Sequence, residues 1–264
     1  MAFGCPALSI HMAKKQRADQ LIAQQGLAES REKAKRLIMA GQVHYMERGQ
    51  KLPVAKPGQQ FHEETEFVVA GSNRFVSRGA HKLLTAIEEY GMDCTGKVAL
   101  DAGASTGGFT DVLLQHGATR VYAVDVGYGQ LHEKLRTDER VVNLERTNLR
   151  HAEPELIPEP VDLVVSDVSF ISLTKILPAC MQFLKPGGEV VALIKPQFEV
   201  GPGQTDRGVV RDEKLRQETV DMVVAFCRTE LGLTSVGVVP SKILGPKGNQ
   251  EYLAYFRRNE TMTQ

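Results

Sequence analysis

Between residues 98 and 195, short apolar runs bounded by turn residues alternate with stretches of helical apolar spacing, and few folds accommodate that alternation. Runs at 98–101, 120–125, 141–144, 161–167 and 189–195 read as buried strands, and helices are expected at 108–115, 130–136 and 173–184. Strands that alternate with helices form βαβ units, which close into a mostly parallel sheet covered on both faces. Farther on, 213–231 has the spacing of a long amphipathic helix, and 234–240 with 252–257 read as a closing antiparallel pair. The expected fold class is α/β, a Rossmann-like sheet.

Open sheets of this kind bind ligands beyond the carboxyl ends of their strands, so the residues at those ends carry the chemistry. The first strand ends in Asp101 and enters a turn containing Gly103, Ser105, Thr106 and Gly107, followed by Gly108 and Phe109 at the start of a helix. Glycines let the backbone approach a ligand closely, and a helix start presents free N–H groups. Asp125 ends the next strand, about 20 residues on, where an acid can accept hydrogen bonds from both hydroxyls of an adenosine ribose. Either NAD or S-adenosylmethionine suits that pair. Ser105 stands where a dinucleotide fingerprint needs its second glycine, which argues against NAD. The turn also satisfies the G-x-S-x-G pattern of a hydrolase nucleophile, but that fold requires a histidine near the end of the chain. Here the last is His151. Two further strand ends carry charge, Asp167 and Lys195, and both belong to the same carboxyl edge.

The formal net charge is zero, yet the charge is unevenly divided. Residues 1–80 hold twelve Lys/Arg against seven Asp/Glu, which suggests a basic accessory module on a slightly acidic body. Within it, two helices are expected, 17–25 and a second beginning after Ser30 as N-cap and ending at Gly41, followed by short strands at 43–45, 50–54 and 66–70. Lys14, Lys15, Arg17, Arg31, Lys33, Lys35, Arg36, Arg48, Lys51 and Lys56 cluster there and can track a phosphate backbone by shape rather than sequence. An ordinary solvated helix face would carry the same charges. Residues 1–13 lack periodicity and are expected to be a leader or alternative start.

The four cysteines are widely separated and never form a CxxC pair, so neither a disulfide framework nor a zinc cage is expected, and no metal is implied. No apolar run approaches the roughly 18 residues needed to span a bilayer. A cytoplasmic location is expected.

Several motifs taken in order resemble one family. Ser77 to Leu83 (SRGAHKL), Asp101 to Thr110 (DAGASTGGFT), Asp125 to Leu131 (DVGYGQL), Ser166 to Phe170 (SDVSF), Ile194 to Glu199 (IKPQFE) and Gly248 to Leu253 (GNQEYL) together closely resemble the TlyA family. Members join a small RNA-binding domain like that of ribosomal protein S-four to an FtsJ-like methyltransferase. The resemblance implies residues 14–72 as the RNA-binding domain, of α+β type, 73–79 as a connector, and 80–264 as the methyltransferase domain with a Rossmann-like sheet. It implies transfer of a methyl group from S-adenosyl-L-methionine to ribose 2′-hydroxyls of ribosomal RNA, cytidine being the expected nucleoside, with ribosomal RNA or ribosomal subunits as partner.

The same resemblance implies Lys82, Asp167, Lys195 and Glu251 as a catalytic set. It implies Asp101, Gly103, Ser105, Thr106, Gly107, Gly108, Phe109, Asp125, Val126, Asn148 and Asp167 as cofactor-binding residues, and Lys14, Lys15, Arg17, Arg31, Lys33, Lys35, Arg36 and Arg78 as RNA-binding ones. FtsJ-like relatives often have Asp where Asn148 stands. Chemistry accords with the four charged groups. A ribose hydroxyl is a weak nucleophile and a methyl sulfonium already a strong electrophile, so positioning and removal of one proton are what remain. Lys195 is the expected base, Lys82 its electrostatic partner, and the two carboxylates the groups that orient the amines. Relatives of this type are often labelled haemolysins, and a catalytically inactive RNA-binding or ribosome-assembly factor would keep the same fold. A pore requires a spanning or strongly interfacial segment, and neither is evident in the sequence.

Overall fold

The structure is a computed structural model that describes residues 15–260 apart from 29, 48–49 and 70–74. Residues 1–13, Lys14, Arg48, Asn73 and Arg74, to which expectations attach, lie outside the described residues. The chain divides into two compact units, Met1–Ser72 and Asn73–Gln264.

The first unit runs β1 (Lys15–Arg17), α1 (Ala18–Gln24), α2 (Arg31–Met39), β2 (Val43–Glu47), β3 (Gln50–Pro53), β4 (Gln60–His62) and β5 (Phe67–Val69). Ser30 Oγ caps α2 by accepting the Lys33 N–H at 3.2 Å, which satisfies one of the helix's orphan donors. β2 is the centre of an antiparallel sheet in the order β3-β2-β5, and β1 pairs with β4. Leu21, Ile22, Ile38, Val43, Phe61 and Phe67 close the core. The strands β1 and β4 are not anticipated from the sequence. Each has three residues, too few for a period of two to stand out, and β1 contains no apolar residue.

The second unit runs α3 (Ala80–Tyr90), β6 (Val98–Ala102), α4 (Gly108–Gln115), β7 (Arg120–Val124), α5 (Glu133–Arg136), β8 (Val141–Leu144), β9 (Val161–Ser166), α6 (Leu173–Cys180), β10 (Leu184–Ile194), α7 (Pro196–Glu199), α8 (Glu213–Thr229), β11 (Leu233–Pro240) and β12 (Tyr252–Arg258). Its seven-stranded sheet has the order β11-β12-β10-β9-β6-β7-β8. The strands from β10 to β8 are parallel, and β12 lies antiparallel between β10 and β11. Side chains alternate between two apolar layers, as a period of two demands. Val191, Leu193, Leu253 and Tyr255 join α3 and α4 on one face, while Val190, Ala192, Ile194, Ala254 and Phe256 join α6 and α8 on the other.

β6 and β9 are neighbours although two strands separate them in sequence, so the strand order reverses there and a crevice opens at their carboxyl ends. The helix expected at 130–136 is confined to Glu133–Arg136. Glu145 explains the shortening, because its carboxylate accepts the Gln130 N–H at 3.1 Å and draws this backbone out of a helical path. Among the described residues no helix is long and apolar enough to cross a membrane.

Candidate active site

Asp101 is fully buried at the end of β6, and its Oδ2 accepts the Thr110 N–H at 2.9 Å and hydroxyl at 2.6 Å. Its Oδ1 is buried without a hydrogen-bond partner. Burial pushes the carboxyl up to about 7; the Thr110 bonds oppose this, and the charges of Asp167 and Asp125 add to it. The turn that follows departs from ordinary backbone at Gly103 (φ 87°), Ser105 (φ 49°) and Gly107 (φ 90°). A Cβ at Gly103 would lie 3.0 Å from Val168 and 3.2 Å from the Asp167 backbone, so this turn is pressed against the exit of β9. Ser105 and Thr106 are exposed on the turn, and Gly108 is buried at the start of α4. Phe109 is a core residue, leaving only its backbone for a ligand.

Asp125 is half-buried and fixed by two backbone donors, Ser105 N–H to Oδ2 at 2.8 Å and Gly127 N–H to Oδ1 at 2.7 Å, which leaves each oxygen one lone pair. Val126 beside it is exposed. Asn148 acts locally. Its Oδ1 caps a short 3₁₀ turn by accepting the Arg150 N–H at 3.1 Å, so one of that oxygen's two lone pairs is already engaged.

Four charged side chains converge next to this turn from distant parts of the chain. Lys82 on α3 lies 2.7 Å from Glu251, the residue before β12, and 4.0 Å from Asp167, the residue after β9. Lys195, which follows β10, lies 2.6 Å from Asp167 and donates to Ser169 Oγ at 2.8 Å. Glu251 is fully buried, and Lys82 and Lys195 are 8% and 6% exposed. Two lysines and two carboxylates thus face one another, Asp167 being the most exposed of the four. The set is joined to the glycine turn through the backbone, since Asp167 N–H donates to Ala102 O at 3.1 Å.

Other residues in the site carry contacts that the sequence does not announce. Gln197 Nε2 donates to Glu251 Oε1 at 3.1 Å, and Ser169 is the hydroxyl partner of Lys195. Both lie inside recognisable motifs, yet their types are too common to be read as site residues. Gly245 lies outside every motif, and a Cβ there would fall 2.2 Å from Glu251 Oε1. In the first unit, Asp19 is fully buried and binds the guanidinium groups of Arg17 and Arg31, each at 2.9 Å. Lys15, Lys33 and Arg36 are exposed there, Lys35 pairs with Glu32 at 2.6 Å, and Arg78 is exposed just before α3.

Residues 75–258 match the model of FtsJ-like methyltransferases, and residues 16–45 that of the S4 domain. The chain belongs to the FtsJ-like methyltransferase family. It is 50% identical over 249 residues, 93% of this chain and 91% of the other, to the 16S/23S rRNA (cytidine-2'-O)-methyltransferase TlyA of Mycobacterium tuberculosis. To a protein named Hemolysin A from Brachyspira hyodysenteriae it is 41% identical, covering 91% of this chain and 99% of that one. A solved structure described as "Putative hemolysin from Streptococcus thermophilus" superposes with a TM-score of 0.72 at 44% identity, covering 94% of this chain and 90% of that one.

As in this family, S-adenosylmethionine is the methyl donor. The residues present suit it. A fully buried carboxyl keeps one oxygen free for a polar group of the ligand, the glycine turn leaves backbone exposed beside it, and Asp125 is placed for a ribose diol.

Asp101 also sets a pH dependence. An unfolded carboxyl releases its proton near 3.8 and the folded one near 7, so between these values the folded state holds an extra proton. Stability therefore declines as pH rises through that window. Asp101→Asn removes the titration and keeps an acceptor for both Thr110 bonds. Denaturant unfolding across the window is expected to give a flatter pH curve for the variant; an unchanged slope would show that Asp101 releases its proton at its ordinary value.

Proposed function

We propose that the protein methylates the ribose 2′-hydroxyl of cytidine in ribosomal RNA, with S-adenosylmethionine as donor and a ribosomal subunit as substrate. The observation that carries the reading is the convergence of Lys82, Asp167, Lys195 and Glu251 beside the glycine turn. A ribosomal substrate makes the cytoplasm the place of action.

When bound, S-adenosylmethionine supplies an electrophilic methyl group on a sulfonium that departs as a neutral thioether. Asp101, Gly103, Ser105, Thr106, Gly107, Gly108 and the Phe109 backbone hold it, with Asp125, Val126 and Asn148 at the adenosine end. Lys195 accepts the proton from O2′ as the new O–C bond forms, and Asp167 and Ser169 fix the direction of its Nζ. Lys82 stabilises negative charge developing on O2′, while Glu251 fixes Lys82. The basic face of the S4 domain, with Lys15, Arg17, Arg31, Lys33, Lys35 and Arg36, holds the phosphate backbone by shape. Arg78, exposed in the second unit, is a further phosphate-binding residue.

Incubation of purified protein with ribosomal subunits and methyl-tritiated cofactor tests this directly, with 2′-O-methylation mapped in RNA from cells with and without the gene. Label in RNA at the 2′-oxygen of cytidine is the expected result. Label on a base or on protein, or no transfer, overturns the reading.

A further inference from the structure

The segment leaving β9 and the segment leaving β10 touch at successive levels. Nearest the sheet, Lys195 meets Asp167 and Ser169. Next, the rings of Phe170 and Phe198 lie 4.9 Å apart. At the far end the Glu199 carboxylate accepts the Leu173 N–H through Oε1 at 2.8 Å and the Ser172 hydroxyl through Oε2 at 2.5 Å. The partners of that carboxylate are therefore two neutral donors at the N-terminal end of α6. Burial pushes the Glu199 carboxyl up, against those two bonds.

Neither segment is held firmly by its own backbone. α7 is a single turn of four residues, too short to be stable by itself. Phe170 has φ 63°, a conformation that a non-glycine residue keeps only when surrounding contacts over-determine it. Lys195 lies just before the first of these weak pieces and Asp167 just before the second. A cross-link at the end of both is what fixes one against the other.

We propose that Glu199 is a positioning residue that fastens the Lys195 segment to the Asp167 segment and so sets where Lys195 Nζ stands relative to the reacting hydroxyl. This rests on the reading of Lys195 as the base. A misplacement of about 1 Å in a reacting group lowers turnover by about 100-fold. Glu199→Ala removes both acceptors and is expected to lower kcat by about 10- to 100-fold, with KM for RNA and Kd for S-adenosylmethionine within about three-fold of the parent. Glu199→Gln keeps an acceptor for the Leu173 N–H and a polar group facing Ser172, and restores kcat to within about three-fold. Ser172→Ala removes one of the two bonds together with the α6 cap bond from Thr174 N–H, and lowers kcat in the same direction by a few-fold; Ser172→Asn, which can still cap the helix, separates the two effects and reads the Glu199 bond even where Glu199→Ala folds poorly.

The five variants, including Lys195→Ala, are measured side by side on ribosomal subunits. Unchanged kcat in both Glu199→Ala and Ser172→Ala, with Lys195→Ala inactive, overturns the fastening role while leaving the base in place. An equal loss of kcat and cofactor affinity that Gln does not rescue overturns it too, as a general structural defect. A fully active Lys195→Ala overturns the base assignment and this proposal with it.

Discussion

Lys195→Ala is expected to slow methyl transfer by about 10²- to 10⁴-fold, the usual worth of a positioned general base, and to leave cofactor affinity within about three-fold. Its Nζ stands 2.6 Å from Asp167 and 2.8 Å from Ser169, so both contacts orient the amine and neither belongs to the glycine turn or to Asp125. Single-turnover transfer to ribosomal RNA measures the chemical step, and calorimetric titration with S-adenosylmethionine measures binding. A variant that methylates at the parental rate removes Lys195 from the mechanism. Circular dichroism of the variant matters here, because Asp167 loses its 2.6 Å lysine partner and keeps Lys82 at 4.0 Å.

Glu251→Ala is expected to be the most destabilising single change in the site, by about 3–5 kcal/mol, because it leaves a buried ammonium without its partner. Lys82 is 8% exposed, its 2.7 Å contact is with Glu251, and Asp167 is farther away at 4.0 Å. Replacing both members, Lys82→Met with Glu251→Leu, removes the charges together and fills similar volume. Stability is then expected to return to near the parental value while methylation stays lost, since a buried pair exchanged for apolar groups is often neutral or better for folding. Urea unfolding and methyl transfer on the three proteins check this. A stable Glu251→Ala protein would mean that Lys82 finds another partner or gives up its proton; an active double variant would take both residues out of the reaction. Gly245→Ala reaches the same carboxylate from the other side, with a Cβ falling 2.2 Å from Oε1.

Much of the second unit is legible in the residues themselves. Apolar β6, β7 and β9 announce buried strands and β8 a strand that proves to be a half-buried sheet edge, and Asp101 with its glycine turn announces a ligand, because only a few residue types permit that backbone beside a bound molecule. Asp167 and Lys195 follow from their places at strand ends. Lys82 and Glu251 do not: one lies on a helix before the sheet begins and the other precedes its last strand, and no local pattern marks either. Their recognition came from motif resemblance, not from spacing. Gln197, Ser169 and Glu199 lie inside motifs but are of common types, and each acts through a partner remote in sequence; Gly245 and Asp19 have partners nearer along the chain, yet no pattern of residue types marks those contacts.

The sequence by itself determined the α/β alternation, the cofactor turn and the split between a basic first unit and a slightly acidic second one, because periodicity, glycine placement and charge are properties of neighbouring residues. Only the tertiary structure decided which of the site's charges pair and which strand exits touch. Those are distances between residues far apart along the chain, and they arise when β12 inserts antiparallel beside β10 and carries Glu251 to the edge where Lys195 already stands.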